Sequence, residues 1–183
     1  MLVAEGELRG LIGPRELPRL WTRHLLNSSP VAPFVDAGVR FADIGSGAGF
    51  PGVVVAIMRP DLDVHLIEPM ERRTTWLEDV ARELSLSNVS VVRARAEELH
   101  GTASYDAVSA RAVAALKKLV PWAAPLIAPG GRLVALKGER AALEVTEAEK
   151  VLRKHKLTDT SVHEVLVPGT DEPTRVVTAQ RVR

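Results

Sequence analysis

The residues best placed to do chemistry in this sequence lie in Asp43-Ile44-Gly45-Ser46-Gly47-Ala48-Gly49-Phe50-Pro51-Gly52. Counted from Asp43 the stretch reads Asp-x-Gly-x-Gly-x-Gly. Counted from Gly47 it reads Gly-x-Gly-x-x-Gly, the dinucleotide pattern. Glycines in such a turn adopt positive φ and let the backbone approach a ligand closely. About 20 residues later an apolar run ends at Glu68, where a carboxylate would accept both ribose hydroxyls of an adenosine. The chemistry indicated is the gripping of a nucleoside-bearing cofactor.

Further polar residues follow apolar runs. Arg95-Ala96-Glu97 would flank an adenine, or Glu97-Glu98 would simply favour the positive end of a helix. Arg111 would pair with a ligand carboxylate or a substrate phosphate, or else with Asp43 or Glu68. Lys137 would meet a phosphate or stand solvated. Arg19, Arg23 and Asn27 share one flank of an expected helix, with His24 one step round, and read as a solvated face or a basic rim. His24, His65, His100, His155 and His163 have no metal-ligand spacing, so no metal is expected. The sequence has no Gly-x-x-x-x-Gly-Lys-Ser/Thr loop and no Gly-x-Ser-x-Gly elbow. It has no cysteine, which removes any cysteine nucleophile.

The elements that must position these residues alternate. Met1 to Gly13 reads as a helix remnant and Pro14 to Asn27 as a helix. Strands are expected over Val39–Ile44, Asp63–Ile67, Val89–Val92, Tyr105–Ser109 and Arg132–Leu136. Helices are expected over Pro51–Met58, Glu71–Leu84, Ala114–Trp122 and Glu139–His155. Thr160–Val167 and Thr174–Val182 then form a hairpin joined by Pro168 to Pro173. The pattern is α/β, a mostly parallel doubly wound sheet of seven strands with an antiparallel C-terminal hairpin. In such sheets ligands bind beyond the carboxyl ends of the strands. Residues 1–36 are expected to form a short helical cap and 37–183 the main domain.

Composition narrows the rest. The 183 residues are 46% hydrophobic and 26% charged, enough for one domain with a sizeable core. No apolar run is long enough for a membrane span, and no signal pattern opens the chain, so a cytoplasmic protein is expected. A net charge of +1 demands no nucleic acid and forbids none, since a local basic rim suffices. Aromatics at 4% argue against a platform for stacking single-stranded bases.

Taken together the residues resemble the RsmG/GidB family of bacterial methyltransferases. The resemblance rests on Leu20-Trp21-Thr22-Arg23-His24-Leu25-Leu26-Asn27-Ser28, the Asp43-to-Gly52 loop, Arg59-Pro60 and Glu71-Arg72-Arg73. It continues through Arg95-Ala96-Glu97-Glu98, Ser109 with Arg111-Ala112, Pro129-Gly130-Gly131 and Ala135-Leu136-Lys137-Gly138. It implies a Rossmann-like class I S-adenosylmethionine-dependent fold. It also implies methyl transfer to N7 of one guanine, guanosine 527, in 16S ribosomal RNA. By this resemblance Gly45, Ser46, Gly47, Gly49, Phe50, Glu68, Ala96, Glu97 and Arg111 hold S-adenosylmethionine. Arg23, His24 and Lys137 face RNA, and Arg111 and Lys137 position rather than react. The expected partner is 16S ribosomal RNA or the small ribosomal subunit, met by a monomer and without a membrane. Family members usually begin with a further helical segment, which is missing or shortened here. Asn27 stands where aspartate is common and receives no catalytic role.

The residues agree with that activity. Guanine N7 carries a free lone pair and no proton, so its methylation needs neither base nor covalent nucleophile. Ser109-Ala110-Arg111-Ala112 stands where an amino-group methyltransferase would carry Asn/Asp-Pro-Pro-Tyr/Phe. Two other readings compete: an NAD-binding oxidoreductase built on Gly47, Gly49 and Gly52, and a non-catalytic RNA-binding module. The first lacks a hydride-site acid or base and a substrate domain. The intact glycine loop and Glu68 argue against the second.

Overall fold

A computed structural model describes all 183 residues. Apolar runs separated by helices form a seven-stranded sheet in the order β3-β2-β1-β4-β5-β7-β6. The strands are β1 (Arg40–Ile44), β2 (Asp63–Ile67), β3 (Val89–Val92), β4 (Tyr105–Arg111), β5 (Ile127–Lys137), β6 (Leu157–Val165) and β7 (Thr174–Arg181). Pairings from β3 through to β5 are parallel, and β7 runs antiparallel to both β5 and β6. The chain order reverses between β1 and β4, which opens a crevice at their carboxyl ends.

Alternation along each strand sends side chains to two cores. Phe41, Val64, Leu66, Val134 and Leu136 pack under α2 (Gly52–Met58) and α3 (Glu71–Glu83). Ala42, Ile44, Ile67, Val108, Leu133 and Ala135 pack under α4 (Leu116–Ala123) and α5 (Ala141–Lys154). Trp76 of α3 is fully buried and donates its indole N–H to Ala48 O at 3.1 Å, tying the helix to the glycine loop.

The amino-terminal region departs from the expected single helix. After a short α1 (Leu2–Glu5) it runs as a 3₁₀ helix over Pro14–Arg19, a π-helical turn over Leu20–Leu25 and a 3₁₀ helix over Leu26–Phe34. Pro18, Pro30 and Pro33 remove helical donors and break the α ladder. The region still packs: Ile12 and Leu20 meet Phe50 and Val54, and Val31 and Val35 join the core beneath α2. Arg59 fastens it, donating from Nη1 to Ala32 O at 3.0 Å and Val35 O at 2.7 Å, and from Nη2 to Asp36 O at 3.1 Å.

Two boundaries also move. β5 begins at Ile127 and carries Pro129-Gly130-Gly131 through a bulge, where a turn was expected. A side chain on Gly131 would come within 2.6 Å of Asp106 O, so the bulge presses tightly on β4. α4 begins at Leu116, because Ala112 has positive φ (55°) and Ala115 is extended.

The glycine turn is built by close approach. A Cβ on Gly52 would lie 2.3 Å from Leu66 Cδ2 and 2.7 Å from Asp43 Oδ2. Only glycine lets α2 sit that near the sheet, and Gly52 N–H donates to Asp43 Oδ2 at 3.0 Å. Gly52→Ala should therefore lower stability by about 1–3 kcal/mol, the usual cost of overpacking a filled core, as read by urea denaturation.

Candidate functional site

Strand ends β1, β2, β3 and β4 deliver most of the expected residues to one crevice. Gly45 and Ser46 N–H groups both donate to Ile67 O, at 2.8 and 3.2 Å, so the loop starts pinned to the end of β2. Gly45, Gly47 and Gly49 all have positive φ. Glu68 follows β2 directly and is only 2% exposed. Its Oε2 accepts Gly47 N–H at 3.1 Å, its Oε1 accepts Met70 N–H at 3.0 Å, and Arg73 Nη1 stands 3.7 Å away. One carboxylate thus fixes the glycine loop against β2 while each oxygen keeps a second lone pair. A Cβ on Gly47 would meet only Gly45 O, at 3.7 Å, so space opens beside that residue.

Ala96 and Glu97 begin a 3₁₀ turn after β3, with Ala96 buried and Glu97 exposed. Glu98 caps that turn by accepting Arg95 N–H at 2.8 Å. The capping assigns the structural work of the acidic pair to Glu98 and leaves Glu97 without it.

Arg111 ends β4 with its guanidinium carbon 5.3 Å from the centre of the Phe50 ring. Its Nη1 donates to His24 O at 3.1 Å, Ser28 Oγ at 3.2 Å and Arg23 O at 3.4 Å, and its Nη2 donates to His24 Nδ1. Burial pulls the Arg111 guanidinium below its ordinary pKa, and Asp43 opposes that pull. Neither of the expected structural ion pairs, to Asp43 or to Glu68, forms in direct contact.

His24 was expected on an RNA-facing rim. Its side chain is instead only 13% exposed, with Nε2 2.8 Å from Glu16 Oε2 and the ring 5.5 Å from Phe50. Burial lowers the imidazole pKa, Glu16 opposes this, and Arg111 reinforces it. The Arg23 side chain is 53% exposed and lies 3.5 Å from Glu16 Oε1.

Lys137 also turns inward, away from the phosphate contact expected of it. The side chain is 8% exposed, with Nζ donating to Ala114 O at 2.6 Å and pairing with Glu144 at 2.9 Å. Glu144 also accepts Leu116 N–H at 2.8 Å. Burial raises the Glu144 pKa, but the Lys137 hydrogen bond and the Leu116 N–H outweigh it, leaving the carboxyl below its ordinary value. Together Lys137 and Glu144 fasten the loop between β4 and α4. That loop lays Val113 over the glycine turn, its Cγ2 2.9 Å from where a Cβ on Gly45 would stand.

Beyond Arg111, away from the glycine loop, lies a basin of about 960 Å³. Arg19, Arg23, Asn27, Lys137 and the β6–β7 loop around Thr170 and Thr174 border it. Asn27 Oδ1 accepts the Thr174 hydroxyl at 2.9 Å, closing the rim between the amino-terminal region and the hairpin. Sequence reasoning missed Glu16, Glu144, Val113 and this loop. Each acts through a partner that only the folded chain brings up to it, and no local pattern marks it.

The donor set fits an S-adenosylmethionine. Buried Glu68 offers acceptors for ribose hydroxyls, Gly47 leaves room beside them, and Arg111 offers a cation for a carboxylate.

The sequence matches the family model "GidB: rRNA small subunit methyltransferase G" over residues 1–172. It is 53% identical to the ribosomal RNA small subunit methyltransferase G of Beutenbergia cavernae, covering 97% of this chain and 84% of that protein. To the Clavibacter sepedonicus protein of the same name it is 52% identical, covering 98% and 84%. The fold is similar to that of a crystallised SAM-dependent O-methyltransferase from Thermotoga maritima, with a TM-score of 0.69 at 20% identity over 92% of this chain and 70% of that one. No helix is long and apolar enough to cross a membrane.

One buried group makes a pH prediction. Asp43 is fully buried, and burial pushes its pKa up to about 7, against the opposing Gly52 N–H bond. Its Oδ1 has no hydrogen-bond partner, nor has Ser109 Oγ at the paired position of β4. The unfolded carboxyl ionises near 3.8, so between there and about 7 the unfolded state holds fewer protons than the folded one. Asp43 thus stabilises the fold below 3.8, and that contribution is lost as pH rises through 7. Asp43→Asn keeps an acceptor for Gly52 N–H and cannot ionise. Relative to wild type it should gain melting temperature progressively from pH 4 to pH 8, measured as the difference between paired thermal scans.

Proposed function

The chain belongs to the rRNA small subunit methyltransferase G family, whose methyl donor is S-adenosylmethionine, and from that premise we infer that it methylates N7 of one guanine in 16S ribosomal RNA, guanosine 527. The observation that carries this reading is Arg111 standing between the Glu68–glycine crevice and the large basin, where each compartment can take one of two reactants.

S-adenosylmethionine supplies a methyl group made electrophilic by its sulfonium. Guanine N7 has a lone pair and no proton to lose. The protein therefore has no base to provide; its task is to hold two reacting atoms in line, which removes most of the entropic barrier. Glu68 holds the ribose and Gly45, Ser46, Gly47 and Gly49 form the turn beneath it. Phe50 lies under Arg111, Ala96 and Glu97 flank the adenine, and Arg111 meets the methionine carboxylate. On the basin side, exposed Arg19 and Arg23 meet phosphates. Lys137 serves this site from inside, through the loop it fastens with Glu144. Residues 1–36 act as a cap over a methyltransferase domain of residues 37–183, with Arg59 and Arg111 among its fastenings.

The direct test maps N7-methylguanine in 16S ribosomal RNA from subunits lacking the modification, incubated with this protein and S-adenosylmethionine. A new methylation at guanosine 527 alone is expected; methylation elsewhere, or none, rejects the assignment. Arg111→Ala should weaken S-adenosylmethionine binding about 10- to 150-fold, the loss of a charged hydrogen-bonded pair worth about 1.5–3 kcal/mol, with circular dichroism unchanged. Wild-type affinity in that variant would reject the carboxylate contact.

A further inference from the structure

We propose that Glu16 and His24 are positioning residues that set the guanidinium of Arg111 for the carboxylate of the cofactor, an inference that rests on the S-adenosylmethionine site described above. Arginine has donors only. His24 Nδ1, which faces Arg111 Nη2, must therefore present its lone pair. The ring proton then sits on Nε2, where Glu16 Oε2 accepts it at 2.8 Å. Carboxylate, imidazole and guanidinium form one directed chain, and Glu16 fixes the tautomer in the way a carboxylate partner fixes a metal-bound histidine.

The chain settles which edge of Arg111 is free. Nη1 is spent on His24 O, Ser28 Oγ and Arg23 O, and one Nη2–H goes to His24. The remaining Nη2–H and Nε–H share one edge of the planar group, the side-on fork that matches a carboxylate with two parallel hydrogen bonds. Phe50 covers the face of the guanidinium and also contacts His24, so the plane itself is held. Without Glu16 the imidazole is free to carry its proton on Nδ1, which turns an N–H against the guanidinium and drives the fork out of register. Both ring nitrogens of His24 are engaged within the protein, so this reading replaces an RNA contact for that residue.

Calorimetry on the full chain with two nucleosides tests the proposal. S-adenosylhomocysteine carries the amino-acid carboxylate; 5′-methylthioadenosine has the same adenosine without it. Glu16→Ala and His24→Ala should weaken S-adenosylhomocysteine about 10-fold, one charged hydrogen bond's worth, and leave methylthioadenosine within about 2-fold. Glu16→Gln, whose amide oxygen still accepts the Nε2 proton, should restore most of the affinity. The ¹⁵N shifts of the wild-type His24 ring should show a protonated Nε2 and a bare Nδ1. Equal weakening of both nucleosides, unchanged S-adenosylhomocysteine affinity in both alanine variants, or a proton on Nδ1 overturns the positioning role. A wild-type chain that binds neither nucleoside overturns the cofactor site as well, which separates the two failures.

Discussion

Two buried carboxylates hold the glycine turn in place, and the site depends on them. Asp43 Oδ2 accepts Gly52 N–H from below, and Glu68 Oε2 accepts Gly47 N–H from the side. A turn of glycines has little side-chain contact to define it and a high entropic cost of ordering. Carboxyl oxygens at each end accept directional bonds where packing cannot.

Arg111 joins this turn to everything else. It lies over Phe50, the last side chain of the turn before Pro51, and it grips the carbonyls of Arg23 and His24. The amino-terminal region has few regular backbone hydrogen bonds because its prolines remove them. Side chains reaching up from the main domain hold its position, among them Arg59 from the end of α2 and Arg111 from the end of β4. One guanidinium thus touches both the glycine turn, through Phe50, and the amino-terminal region, through the Arg23 and His24 carbonyls.

What the sequence made legible follows from how local each cause was. β2 and β3 could be read to the residue because apolar runs ended at clear breaks, and the position of Glu68 was visible because it follows its strand directly. The α/β order came from the same alternation, whereas the reversal between β1 and β4 is set by which strands pair and has no mark in the local pattern. The helix expected over Pro14–Asn27 was misread because its apolar spacing is helical while Pro18 and Pro30 break the ladder into tighter and wider turns. Lys137 and His24 were legible as polar residues near the site but not in their direction. Each turns inward to a partner fixed by tertiary packing, Glu144 and Arg111 respectively. Glu16, eight positions before His24, is an ordinary surface acid until the π-helical turn brings the two together.

The hairpin has one more consequence. β7 is the last strand in chain order, yet it lies between β5 and β6, and its first residue, Thr174, bonds Asn27 near the other end of the chain. During synthesis the emerging polypeptide can gather β1 to β5, but β6 has no neighbour to lie against until β7 has left the exit tunnel. The bond that ties Asn27 to β7 is therefore among the last contacts to form, however early Asn27 itself emerges.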